Sequence, residues 1–218
     1  SIVAGFSAAM ANAADYPWTP EKPITIIVPW GAGGATDQVT RVTAGVLEEE
    51  LGQRVVIVNQ PGASGSIGKK NASEADRDGY TWAAGAPKQL GTYKLLGQFD
   101  TWVEDWQLYN TVTNVPLVSV NPDSPYETMA DFVTAMEAGD IDIATAGAGS
   151  SGHAAAEALK GALGGDYTHV TYDGGNPAIV ATVSGEAGAT TQLASEQAEM
   201  VRAGRLRPLA VLASQPLE

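Results

Sequence analysis

The chain has 218 residues, 44% apolar and 17% charged: enough to bury one large or two modest cores, and too apolar for a disordered chain. Its formal net charge of −13 offers no basic stripe to neutralise phosphates, which excludes nucleic acid as a partner. Any anionic ligand must then be drawn by local dipoles rather than by the overall field.

Cysteine is absent, so disulfides, thiolate metal sites, cysteine nucleophiles and a lipid-bearing N-terminal cysteine are excluded. Residues 1–14, in SIVAGFSAAMANAAD, read as the back half of a secretory signal peptide with an A-x-A-type cleavage site before Asp15. The competing reading is a short buried N-terminal helix. On the first reading the mature protein is exported and begins near Ala14 or Asp15. No later apolar run reaches the roughly 20 residues of a membrane span, so no membrane insertion is expected.

From there strand-like runs alternate with helical patterns. ITIIV (24–28) reads as a buried strand, and DQVTRVTAGVLEEELG as a helix with Val39, Val42, Val46 and Leu47 on one face, ended by Gly52. RVVIVN (54–59) is a second strand, followed by QPGASGSIG and a small-residue helix to about Ala75; GYTWAAGA (79–86) contains a third strand. This alternation predicts a parallel sheet of βαβ units. Around 100–115 aromatic residues appear without a helical period. A second α/β domain is expected from 113 to 218, after a first domain at 15–112. Its strands are expected at 117–120, in IDIATAG, YTHVTY, AGATTQ and RPLAVLA. Helices are expected after a cap near Ser124 or Thr128, in AAAEALKGALGG, in AIVATVSG with Asn176 as N-cap and Pro177 in the first turn, and in SEQAEMVRAG.

The unit strand, Gly/Ser loop, helix recurs at 29–37, 61–67, 147–152 and 173–177. In open α/β sheets such loops lie at the carboxyl ends of strands, where ligands bind. Each delivers a helix N-terminus with free N–H groups and about half a positive charge, an anion site that needs no lysine or arginine. Tight packing alone also explains any single Gly-rich turn; four of them in an acidic chain point to a carboxylate clamp.

Catalytic patterns fail in turn. GAGGAT has Thr36 where the dinucleotide fingerprint needs glycine, GAGSSGH has His153 where a phosphate loop needs lysine, and GSSGH and GASGS both miss the nucleophile elbow. His153 and His169 are the only histidines, His153 is poorly placed to reach Ser151, and the two have no carboxylate spacing that would make a metal site. No catalytic residue, metal or cofactor is expected.

Read in order, YPWTPEKPITIIVPWGAGGATD, VNQPGASGSIG, DGYTW, TAGAGSSGH and HVTYDGGNPAIVATVSGE resemble the substrate-binding proteins of tripartite tricarboxylate transporters, the Bug family of periplasmic receptors, from about Tyr16 to the end. The resemblance implies an α/β, two-domain Venus-flytrap fold of the periplasmic-binding class, a monomer in the periplasm. It would capture a small di- or tricarboxylate between its domains and present it to a membrane permease. Carried over residue by residue, the ligand loops of the first domain are Trp30, Gly31, Gly33, Gly34 and Asp37, then Ala63, Ser64, Gly65 and Ser66. Those of the second are Gly149, Ser150 and Ser151, with Tyr172, Asp173 and Gly174 on the opposite wall. Family members return to the first domain after RPLAV; the stop at SQPLE departs from that pattern and implies a C-terminal truncation.

Several residues carry two readings. Asp37 either orients its own loop or binds a cationic group of an amphoteric substrate; Ser150 and Ser151 are caps or ligand donors; Lys88 is solvated or touches ligand; Trp30 lines the cleft or packs. At the level of function, a transport receptor and a small-carboxylate sensor feeding a signalling partner share the same fold.

Overall fold

The computed structural model describes residues 18–213. The expected signal remnant at 1–14 lies outside the described residues. Three parallel strands, β1 (Ile24–Val28), β2 (Val55–Asn59) and β3 (Thr81–Ala83), form a sheet of order β2-β1-β3. Ile24 of β1 stands opposite Val55 of β2, and Thr25 opposite Thr81 of β3. The central strand is the most buried, as a strand covered on both faces requires: Ile24, Ile26, Ile27 and Val28 are buried.

Helix α1 (Ala35–Leu51) connects β1 to β2 and ends where Gly52 takes a left-handed φ of 61°. Its packed face differs from the one expected. Ala35, Asp37, Thr40 and Ala44 are buried, whereas Val42 and Val46 are 74% and 57% exposed. Small side chains at 40 and 44 let the helix lie close on the sheet, and the two valines fall on the other side of it. Helix α2 (Ser66–Ser73) joins β2 to β3, and α3 (Lys88–Leu95), which the sequence pattern did not reveal, follows β3. Its weak apolar periodicity, KQLGTYKL, hides that Leu90 and Tyr93 are fully buried.

An irregular stretch through residues 107–114 leads to the second sheet. Its strands are β4 (Leu117–Val120), β5 (Asp142–Thr145), β6 (Thr168–Thr171), β7 (Ala189–Thr190) and β8 (Arg207–Val211), in the order β6-β5-β7-β4-β8. Helices α4 (Met129–Ala138), α5 (Ser151–Leu163), α6 (Gly175–Ser184) and α7 (Ala194–Arg202) connect them. Val118, Val120, Phe132, Met136 and Ile143 make its core. β5 runs parallel to β6 and β7, but β4 is antiparallel to both β7 and β8. The purely parallel pattern fails there because β4 is entered from the connection between the halves and not from a βα unit, so the crossover rule does not set its direction.

Thr128 caps α4 by accepting the Asp131 N–H at 3.3 Å, while Asp131 returns to the Thr128 N–H at 2.8 Å. At α6 the N-cap is Gly174 rather than Asn176; Pro177 still falls in the first turn. The earlier start is possible because Gly174 and Gly175 carry no side chain: a Cβ on Gly175 would lie 2.4 Å from the Glu196 carboxylate.

Candidate functional site

The two halves face one another across a cavity of about 1980 Å3. Its walls include three helix N-termini: Gly34–Thr36 at α1, Ser150–Ser151 at α5 and Gly174–Pro177 at α6. The volume exceeds the roughly 300–1,000 Å3 of an ordinary small-molecule pocket, since the space continues along α1 and past Leu108 and Tyr109.

Asp37, buried in the first turn of α1, is committed to its own loop. Its carboxylate accepts the Gly33 N–H at 2.8 Å, both Arg41 donors at 2.9 Å and the Asn59 amide at 2.9 Å. The Arg41 guanidinium above all, with the Gly33 N–H and Asn59, holds its pKa down at about 2. The loop-orienting reading therefore accounts for its lone pairs, and Asp37, like Gly33, lies behind the cavity wall. Gly33 has a φ of 80°, which favours glycine.

The helix end itself holds a carboxylate from the other half of the chain. Glu196 Oε1, on α7, accepts the Ala35 N–H at 3.0 Å, and Oε2 lies 3.4 Å from the Leu193 N–H. With its amide oriented to satisfy both neighbours, Gln192 accepts the Ala146 N–H at 2.7 Å and donates to Glu196 Oε2 at 3.2 Å. Burial pushes the Glu196 pKa up, and the Ala35 and Leu193 amides oppose that rise.

The 62–66 loop contributes differently from what was expected. Ala63, Ser64 and Gly65 have φ of 44°, 54° and 91°, a left-handed run that includes two side-chain-bearing residues. The run turns Ser64 toward Gly147, where an added Cβ would meet its Oγ at 2.5 Å. Tyr93 donates to the Ser64 carbonyl at 3.1 Å, and Ser66 Oγ bonds the Ala63 carbonyl at 2.9 Å. Gly65 lies against the Trp30 ring. Gly65 thus sits behind Trp30, which with Gly31 and Gly34 forms the wall, and Ser64 reaches the opposite half at Gly147. None of residues 63–66 borders the cavity.

In the second half, Ser150 and Ser151 border the cavity, and Ser150 is a cap: its Oγ accepts the His153 N–H at 3.2 Å. Gly149 lies behind, against Thr92 of α3 and Leu96 just past its end. Its N–H donates to His153 Nδ1 at 3.0 Å, so that nitrogen supports the loop. The His153 and His169 rings stack at 4.2 Å, and His169 Nε2 meets Thr145 Oγ1 at 2.6 Å. Asp173 and Gly174 border the cavity, but Tyr172 points away, its hydroxyl donating to Glu186 at 3.1 Å.

The sequence profile of the family described as the tripartite tricarboxylate transporter family receptor matches residues 39–217. The chain belongs to this receptor family. Protein BugT of Bordetella pertussis is 33% identical over 201 residues, 89% of this receptor chain and 62% of BugT. MatC of Rhodopseudomonas palustris, solved with bound malate, superposes with a TM-score of 0.83 at 26% identity, covering 90% of this chain and 68% of MatC. R. palustris Rpa4515, solved with adipate, gives 0.75 at 28% identity, covering 90% and 67%. The receptor chain spans a little under two thirds of the length of curated relatives such as BugT, at 62%. The expected periplasmic-binding-protein fold and Bug-type membership are borne out by these likenesses, and the family is one of receptors rather than enzymes.

Among the polar residues of the cavity wall that escaped the sequence reading are Glu196, Lys69 and Gln89. Lys69 is only 4% exposed and burial pushes its ammonium pKa down to about 8. Lys88 also borders the cavity, and its pKa is lowered by desolvation. In sequence, Lys69 reads as one of a solvated pair with Lys70; only the packing of α2 separates them, leaving Lys70 exposed beside Glu74 at 3.8 Å.

Proposed function

We propose that this chain is the binding part of a periplasmic receptor that captures a small organic acid between its two halves, residues 15–112 and 113–218 acting as the jaws. It then hands the acid unchanged to the membrane permease of a tripartite tricarboxylate-type transporter. The observation that carries the reading is the Glu196 carboxylate on the Ala35 amide: the N-terminus of α1 already accepts a carboxylate inside a cavity bordered by two further helix N-termini. Those dipoles supply positive potential in a chain of net charge −13, where the overall field repels anions. The malate and adipate bound by MatC and Rpa4515 support a carboxylate ligand of that size.

Isothermal titration of the purified protein with malate, adipate and citrate, followed by recovery of each acid, tests this. Saturable binding of at least one acid, recovered unaltered, is expected. Absence of binding across the panel, or consumption of the acid, overturns the reading.

A further inference from the structure

An ammonium group buried in a protein normally has an anionic partner, because leaving water without one is costly. Lys69 has none. It is 4% exposed on α2, and no acidic oxygen of the described residues lies within ion-pair distance of its Nζ. Its contact is with an aromatic face, Nζ standing 5.6 Å from the Trp106 ring centroid. That ring is fixed by its Nε1–H, which donates to Thr101 Oγ1 at 2.8 Å. Two acids of the same cavity wall are engaged elsewhere: Asp100 pairs with Lys94 at 2.6 Å, and Asp105 accepts the Trp102 N–H at 2.8 Å.

Beside the ammonium stands a second unpartnered group. Gln89, at the start of α3, is 2% exposed, and its Oε1 has no hydrogen-bond partner. Both groups gather over Gly85. A Cβ there would lie 3.2 Å from Lys69 Nζ and 3.4 Å from Gln89 Oε1, and Gly85 holds a φ of 130°. A glycine that leaves room and a desolvated cation border one cavity, and the acceptor Gln89 Oε1 stands beside the cation without neutralising its charge.

We propose that Lys69, held against Trp106, is the counter-charge for a second acid group of the bound ligand. This rests on the receptor reading above, in which the helix N-termini take the first. The anchor lies in the half that carries β1–β3, so it selects for charge at the far end of the ligand independently of the 147–151 and 173–177 loops. With 4% of its surface exposed and no ion pair, the ammonium meets an incoming oxyanion with little competition from water.

The test compares wild type with Lys69→Met, which keeps the length and removes the charge, using succinate and adipate against their monoamides, succinamate and adipamate. Wild type should bind one diacid at least tenfold tighter than its monoamide. Lys69→Met should lose that preference while holding the monoamide as wild type does. Near-UV circular dichroism verifies folding, and Lys69→Gln replaces Lys69→Met if the latter fails to fold. A variant that binds the diacid as wild type does, or a wild type indifferent to amidation, overturns the Lys69 assignment and leaves the receptor reading standing. A wild type that binds neither the diacids nor the monoamides overturns the Lys69 assignment, and the receptor reading falls with it only if malate and citrate also fail to bind.

Discussion

The Glu196 carboxylate meets the Ala35 amide at 3.0 Å across the cavity, although the two residues stand 161 positions apart. This bond ties the second half of the chain to the first turn of α1, and it places a negative charge where an incoming carboxylate would be drawn. Glu196 therefore both closes the cleft and competes for it. Glu196→Gln keeps an acceptor for Ala35 and removes the charge, so stability should change by less than ~1 kcal/mol. Affinity for a carboxylate should rise at least roughly tenfold, since a unit charge about 8–12 Å away at an effective dielectric near 20 is worth about 1.4–2 kcal/mol. Calorimetry giving equal affinities for the two proteins would show that Glu196 does not face the bound acid.

Glu196→Ala should behave differently, because it leaves the Ala35 N–H without its partner. An unsatisfied buried donor costs about 1–3 kcal/mol, and urea unfolding should show a loss of that order. A variant as stable as wild type would mean that water replaces the carboxylate at no cost.

Asp37 gives a pH dependence with a definite sign. Its folded-state pKa is about 2 against an ordinary 3.8, so it contributes stability above pH 4 that is lost as pH falls toward 2. The contribution is on the order of 2 kcal/mol. Asp37→Asn should remove it and flatten the acid limb of the stability profile between those pH values. An unaltered acid limb would place the titration elsewhere.

Close contact between the halves at Ser64 and Gly147 is open to a similar test. Gly147 has a φ of 99°, and its added Cβ would lie 2.5 Å from Ser64 Oγ. Gly147→Ala should cost about 1–3 kcal/mol from the clash and the backbone strain together. Ser64→Gly should return only the steric part in the double variant, while relieving the φ of 54° that Ser64 itself bears. Full additivity of the two changes in thermal unfolding would deny the contact.

What could be read from sequence was local. The apolar run ITIIV, the glycines after it and the closing Gly52 mark β1, its loop and α1, because each depends on residues only a few positions apart. Direction of β4, exposure of Val42 and Val46, and the outward turn of Tyr172 depend on which neighbours each element meets, and no spacing within the segment encodes that. The same holds within the site. Glu196 reads as an ordinary acid in a first helical turn, favourable for the dipole of α7. Only tertiary placement turns it onto α1. Lys69 and Lys70 are indistinguishable as letters, yet one turns into the cavity and the other into solvent.

The buried lysine also gives a prediction for the ligand-free protein. Its pKa falls from an ordinary 10.5 to about 8 on folding, so folding expels a proton or holds the ammonium at a cost. Below pH 8 both states carry the proton, and the folded state bears the full desolvation penalty. Between pH 8 and 10.5 the folded lysine is neutral while the unfolded one still titrates, so the penalty fades and stability rises with pH. The full range is on the order of 2–3 kcal/mol. Lys69→Met should raise the ligand-free stability at pH 7 by about 1–3 kcal/mol and remove its rise between pH 8 and 10.5. Bound diacid should stabilise wild type more than the variant, because the ligand supplies the missing counter-charge. A pH-stability curve of wild type that is flat or falling across that window, and equal to that of Lys69→Met, would mean that Lys69 is solvated in solution and holds no charge in reserve for a ligand.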